Sequence, residues 1–291
     1  MTLFGLVLSA FFSCGAAAQE TEISSAPAIS SAPLVSLGFN GPDVQFPAAD
    51  GWQIAAAYRS PAKDQPVAVL LHAYARDRND WRLLADELEK QGYGYLALDF
   101  RGHGQSAVDS AGNQAGYRSF RRTGTDNEFN QMTRDVEAAA VWLSANGVAE
   151  NRIALVGAGL GANVAVKFAA LHPEVPMMAL LTPTLNANRD VLTVNPMRGY
   201  GRRPVMIIVS PQDARIFAEA DLLRRTANYS AGPGNVTFVT EFKNHSYKLL
   251  NKPVAAKIIQ WLKTPSRPPE FSAPVSTEAV AFSTASDSVT Q

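Results

Sequence analysis

The stretch "RIALVGAGLGANVAVKF", residues 152–168, runs from an apolar strand pattern through a glycine-rich turn into a helical pattern. Two chemistries use such a turn. Gly157-x-Gly159-x-x-Ala162 has the spacing of a dinucleotide-binding turn, in which amides at a helix start hold a pyrophosphate. Gly157-x-Gly159-x-Gly161 has the spacing of a nucleophile elbow, a sharp strand-to-helix turn that presents a serine hydroxyl; glycine stands in the serine's place. The dinucleotide reading makes two demands the chain does not meet. Its turn should open the fold, and an acidic residue should follow about 20 positions on, at the end of the next strand. Here several elements precede the turn, and the next strand ends "LLTPT", with no Asp or Glu.

Other residue types could act nearby. Ser210 offers a hydroxyl, but it reads more simply as a strand-end residue. His72 in "LHAY", His103 in "RGHG", and Asp99 with Arg101 in "LDFRGHGQS" read as groups that orient loops; His172 in "LHPE" reads as a solvated residue near a helix end. Arg118, Arg121 and Arg122 form a local basic cluster beside Tyr117 and Phe120 that could take an anionic partner, although a solvated loop face is the favoured reading.

The elements that must position these groups alternate. "DVQFPAADG" and "WQIAAAYRSP" predict an antiparallel hairpin around an Asp-Gly turn. "PVAVLLHAY", "YGYLALDF", "RIALVGAG", "VPMMALLTPT", "RPVMIIVSPQD" and "VTFVTEF" predict strands, several with the continuous apolar run of a strand buried on both faces. Between them "NDWRLLADELEKQG", "TRDVEAAAVWLSANG", "GANVAVKFAALHPE", "IFAEADLLRRTAN" and "KPVAAKIIQWLK" carry helical spacing, two of them stopped by Gly. Strand–helix alternation of this kind predicts an α/β fold with a mostly parallel sheet and helices on both faces. Ligands then bind beyond the carboxyl ends of the strands.

Taken together, these segments resemble the α/β-hydrolase superfamily of serine esterases and aminopeptidases, over residues 42–263. "LLHAYARDRNDW" is similar to the family's His-Gly-x loop, "LDFRGHGQS" to its Asp-x-Arg-Gly-His-Gly-x-Ser segment, and "VGAGLGA" to its elbow. The resemblance implies a central sheet of about eight strands without a large lid. It places Asp213 of "IIVSPQD" at the acid position and His245 of "KNHSYKLL" at the base position, with Gly159 at the nucleophile. In such a triad the histidine takes the hydroxyl proton, the carboxylate fixes the histidine, and two backbone amides hold the oxyanion. By family position those amides belong to Tyr74 and Leu160. Ala73 replaces the usual glycine beside them and brings the path of that loop into question, because alanine adopts positive φ poorly. Ser246 adjoins His245 and is badly placed to be activated by it. Without a hydroxyl at Gly159 no acyl-enzyme forms, so the expectation is an impaired or inactive serine hydrolase acting as a binding module for a small molecule or a protein. The alternative is a working hydrolase of small esters that uses Asp213 and His245 directly.

The 26 basic and 26 acidic residues balance, which gives no field for nucleic acid, and no cofactor or metal is expected. "LFGLVLSAFFSCGAAA" reads as an export signal over residues 1–18, too short to span a bilayer. Residues 19–41 read as a Ser/Ala/Pro-rich linker and 264–291 as a disordered tail. Cys14, the sole cysteine, follows a small residue as a lipid-anchor cysteine would, but Phe11 departs from that pattern and an incidental signal-peptide cysteine is favoured. The expected location is the periplasm or the outside of the cell, with or without that anchor.

Overall fold

A computed structural model describes residues 38–188, 190–242 and 246–265. The proposed signal, Cys14, nearly all of both flanking segments, and His245 lie outside the described residues. Among the described residues ten strands and six α-helices follow one another: β1 (Asp43–Pro47), β2 (Gln53–Arg59), β3 (Val67–Leu71), α1 (Arg82–Lys90), β4 (Gly94–Leu98), α2 (Glu128–Ala145), β5 (Ile153–Ala158), α3 (Leu160–Leu171), β6 (Met177–Leu181), β7 (Asn186–Ala187), β8 (Val191–Leu192), α4 (Val194–Gly199), β9 (Val205–Val209), α5 (Ala214–Ser230), β10 (Val236–Thr240) and α6 (Lys252–Lys263).

Eight strands form the central sheet in the order β1-β2-β4-β3-β5-β6-β9-β10. β1 and β2 pair antiparallel around a turn that Gly51 closes at φ 88°, and β2 joins β4 antiparallel. Every later pair is parallel. The apolar runs follow from burial on both faces. In β3, Val67, Val69 and Leu71 pack into one core with α2, α3 and α5, while Ala68 and Leu70 pack into a second with α1 and α6. β5 divides the same way, with Ile153 and Leu155 on one face and Ala154 and Val156 on the other.

The helices begin where side chains cap them. Asn127 accepts the Asn130 amide to open α2, and Asn251 accepts the Val254 amide to open α6. α2 thus starts five residues before the predicted "TRDVEAAAVWLSANG". The stretch "ND" before α1 is a 3-10 turn, Arg78–Trp81, capped by Asp77. β7, β8 and α4 sit in the connection between β6 and β9 that was predicted as loop.

Two buried ion networks hold the β4 exit. The Arg78 guanidinium, fully buried, donates to Asp43 at 2.8 Å and to Asp99 at 3.3 Å. Asp99 also accepts the amides of Arg78 at 2.8 Å and Gln105 at 2.9 Å. Gly104 is needed here: a Cβ on it would lie 2.3 Å from the Asp99 carboxylate. Arg101 donates its amide at 2.9 Å and its Nε at 2.8 Å to Asp135, and Nη1 to Asp50 at 2.6 Å. Burial pushes both Asp99 and Asp135 up to about 6 against the pull of their arginines. The sequence reading of Asp99 and Arg101 as loop organisers agrees with these contacts.

Candidate active site

The parallel register sets the carboxyl ends of β3, β5, β6, β9 and β10 side by side, with Leu71 opposite Gly157, Ala158 opposite Leu181, Leu181 opposite Ile208, and Val209 opposite Thr240. The glycine turn leaves β5 at that edge. Gly159 has φ 52° and ψ −115°, far from any ordinary helix or strand, and precedes α3 directly. Its amide donates to Leu181 O at 2.9 Å, and its carbonyl accepts the Asn163 amide at 3.1 Å.

The three glycines of the turn are not equivalent. A Cβ at Gly157 would fall 2.5 Å from Gly161 O, and one at Gly161 would fall 2.1 Å from Leu71 O. Both are fixed by the close approach of backbone to backbone. A Cβ at Gly159 would meet only Ala73, at 3.4 Å from its Cβ, an ordinary contact. The apex of the turn therefore has room for a side chain, which its two flanking glycines do not.

Leu160 is the first residue of α3, so its amide has no acceptor within the helix and lies at the positive end of the dipole. Across the turn, Ala73 and Tyr74 leave β3. The positive φ in this loop falls at Ala75, at 59°, and not at Ala73, so the doubt that the sequence raised at Ala73 belongs two residues later. His72 holds the loop. Its Nε2 accepts the Phe100 amide at 3.0 Å, which leaves Nδ1 as the N–H that donates to Ala73 O at 2.8 Å. Burial pushes His72 down to about 4. His103 donates from Nδ1 to Arg101 O at 3.0 Å and stacks on Tyr117 at 4.3 Å. Burial, with His72 beside it, pushes His103 down to about 3. Both rings are neutral loop supports.

Asp213 follows β9 and is partly exposed. Its Oδ1 accepts the Ile216 amide at 3.0 Å, which makes it the N-cap of α5. Ser210 is buried, and its Oγ accepts the Gln212 amide at 3.3 Å. His245 belongs to the connection after β10. Farther along that connection, Leu250 lines a small recess together with His72, Ala73 and Ala158, so the chain after His245 returns to the turn. His172, at the end of α3, pairs with Glu150 at 2.6 Å and stacks on Phe168, away from the turn.

One residue had no signal in the sequence. Thr182, buried next to β6, has φ 49°, a conformation that a β-branched side chain seldom adopts. Its amide donates to Ile208 O at 2.8 Å, which holds it there. The strain sits one residue beyond the Leu181 carbonyl that anchors Gly159.

An aromatic wall rises on the Tyr74 side. Tyr74 meets Tyr117 edge-on at 5.3 Å and Phe129 at 5.8 Å. Among the described residues, no group of three or more His, Cys, Asp or Glu could hold a metal, and no helix is long and apolar enough to cross a membrane.

Comparison with known proteins agrees with this fold. No curated relative matches the chain. Solved structures share the fold at low identity. An esterase of Pyrococcus furiosus matches with TM-score 0.63 and 18% identity, over 78% of this chain and 91% of its own. A dienelactone hydrolase of Anabaena variabilis matches with TM-score 0.60 and 16% identity, over 77% and 97%. The esterase domain of a Rhodothermus marinus protein matches with TM-score 0.55 and 20% identity, over 76% and 98%. The family model described as serine aminopeptidase S33 matches residues 62–221, more than half of the length, and takes in the β3 loop, the β4 segment, the turn at Gly159 and Asp213. The chain belongs to that family of α/β-hydrolases.

Proposed function

We propose that this is a hydrolase-fold protein that forms no acyl-enzyme and uses the cleft above its elbow to bind a small molecule or a protein. The observation that carries the reading is Gly159, which stands at the sharp turn between β5 and α3 with φ 52° and ψ −115° and supplies no hydroxyl. Loss of a triad nucleophile costs on the order of 10⁶ in kcat and leaves ~10³–10⁴ over water from binding and the oxyanion hole. Tyr74 and Leu160 are the proposed oxyanion donors, and Asp213 with His245 the remnant acid and base. Residues 1–18, an apolar run closed by Ala16-Ala17-Ala18, support export, with Cys14 as the residue that a lipid anchor would use.

The test is Gly159→Ser, assayed on short-chain p-nitrophenyl esters beside the natural protein. The expected result is ester turnover and labelling by a serine-directed fluorophosphonate in the variant only. Fluorophosphonate labelling and fast turnover in the natural protein would overturn the reading. A second reading, slow hydrolysis by water at Asp213 and His245, is favoured by the retained acid at the end of β9. It requires that His245→Ala abolish whatever activity the natural protein has.

A further inference from the structure

Two exposed cations stand on the aromatic wall. Of the three arginines between β4 and α2, Arg121 is occupied, with Nη2 at 3.3 Å from Asp126 and Nε at 3.9 Å from Glu128. Arg118 and Arg122 are exposed and have no carboxylate partner among the described residues. Each lies over a tyrosine ring instead: Arg122 at 5.9 Å from the Tyr74 centroid and Arg118 at 5.7 Å from Tyr117. The two rings touch edge to face at 5.3 Å, so the two arginine–tyrosine pairs are neighbours. Arg122 also spends one donor on Tyr74 Oη, at 2.9 Å. A guanidinium lying over a ring keeps its remaining N–H groups for a planar anion.

The position relative to the turn gives the site its meaning. Tyr74 follows Ala73, the residue that a Cβ at Gly159 would touch at 3.4 Å. The Tyr74 hydroxyl is held by Arg122, so Tyr74 and Ala73 link the turn to that cation. We propose that Arg118 and Arg122 recognise a free carboxylate, and that the cleft takes small esters of dicarboxylic acids with one carboxyl group left ionised. The ester carbonyl lies toward the Gly159 turn and the carboxylate against the guanidinium edges. This rests on the reading of the cleft as a binding site and adds the charge and size of its occupant.

The experiment compares monomethyl succinate with dimethyl succinate by calorimetric titration of the full chain. The monoanion is expected to bind about tenfold more tightly, as a charge-assisted contact of this kind provides. The preference should shrink between about 0.01 M and about 1 M salt, where the screening length falls from roughly 30 Å to 3 Å. In Arg118→Gln/Arg122→Gln the affinity ratio should fall to near one, with an unchanged melting temperature as the check on folding. Arg121→Gln should keep the preference, because its charge is already paired. Equal affinity for the two esters, binding of neither, or a preference that survives the double substitution would overturn the proposal. Inorganic phosphate that binds as tightly as the monoester on the same arginines would overturn the ester assignment. Gly159→Ser turnover of neutral p-nitrophenyl acetate reports on the loss of catalysis separately, so the failure of either idea is visible without the other.

Discussion

Adding one carbon atom separates the glycines of the turn. At Gly159 the cost is conformational, because φ 52° with ψ −115° suits no L residue well, while the space is open. Gly159→Ala should lower stability by about 1–3 kcal/mol, the usual scale for a residue held in a sparsely populated conformation. Gly161→Ala drives its Cβ to 2.1 Å from Leu71 O, inside the sheet, and should lose well over ~4 kcal/mol or fail to fold. Urea unfolding of the two variants checks the order. His103 offers a pH test. Its pKa is held near 3 in the folded chain and returns to the ordinary histidine value on unfolding. As pH falls below ~6.5 the unfolded chain takes up a proton that the folded chain refuses, so His103 destabilises the fold at up to about 1.4 kcal/mol per pH unit until its folded pKa is reached. His103→Phe leaves Arg101 O unpaired and should cost about 1–3 kcal/mol at pH 7. That deficit should shrink between pH 7 and pH 4 in paired urea titrations. Differencing removes Asp99 and Asp135, whose raised values weaken the fold in the opposite direction, as pH rises from about 4 to about 6. At this scale the sequence revealed Gly159 and the organisers Asp99 and Arg101, because their types sit in fixed spacing. It could not reveal Ala75, which sits in a local turn closed by the Arg76 amide on Ala73 O, or Thr182, whose positive φ is held by a tertiary bond to Ile208 O; neither leaves a mark on residue type.

Elements that carry their own signal were legible, and those that borrow it were not. β3, β4, β5 and β9 stand as unbroken apolar runs because both faces are covered. α2 begins at Glu128, since Asn127 caps it and Phe129 and Met132 reach the core, but the polar residues around them hide the first turn from a periodicity reading. β7 and β8 have two residues each and are held by Asn163, whose Nδ2 donates to Val191 O at 2.8 Å. No local pattern announces strands of that length. The cap of α5 gives an element-scale prediction about Asp213. Asp213→Ala should cost about 1 kcal/mol of stability through the lost bond to the Ile216 amide, whereas Asp213→Asn should keep nearly all of it. Thermal unfolding of both variants checks this. A loss in both would show that the negative charge at this position, and not the cap, is what the fold requires.

Across the whole molecule, two buried arginines tie separate parts of the chain to the exit of β4. Arg78 joins β1 to the β3 and β4 loops, and Arg101 joins the turn after β1 to the middle of α2. Removing Asp135 leaves Arg101 only Asp50 as an ion-pair partner among the described residues and orphans its buried amide and Nε. Asp135→Ala should therefore cost about 3–5 kcal/mol, a loss that thermal or urea unfolding would register. The aromatic wall rests on this frame, since His103, two residues past Arg101, stacks on Tyr117. The global topology was readable from strand–helix alternation and from the order of the motifs. The relation of the cations to the wall was not, because Arg121 and Arg122 are neighbours in sequence with different fates: one is neutralised by acids on its own loop, and the other is held by a tyrosine from β3's exit.

The unequal crowding at the three glycines also bears on how the chain can change over generations. Glycine and serine codons can differ by a single base. At Gly157 and Gly161 such a step meets backbone and would be purged as a folding defect. At Gly159 it meets open space, and the only resistance is a conformation that the surrounding sheet already imposes. The space beside the apex is not filled by packing, so a hydroxyl could be placed there by one substitution. A library saturated at all three positions and selected for ester turnover should return serine at the middle position alone.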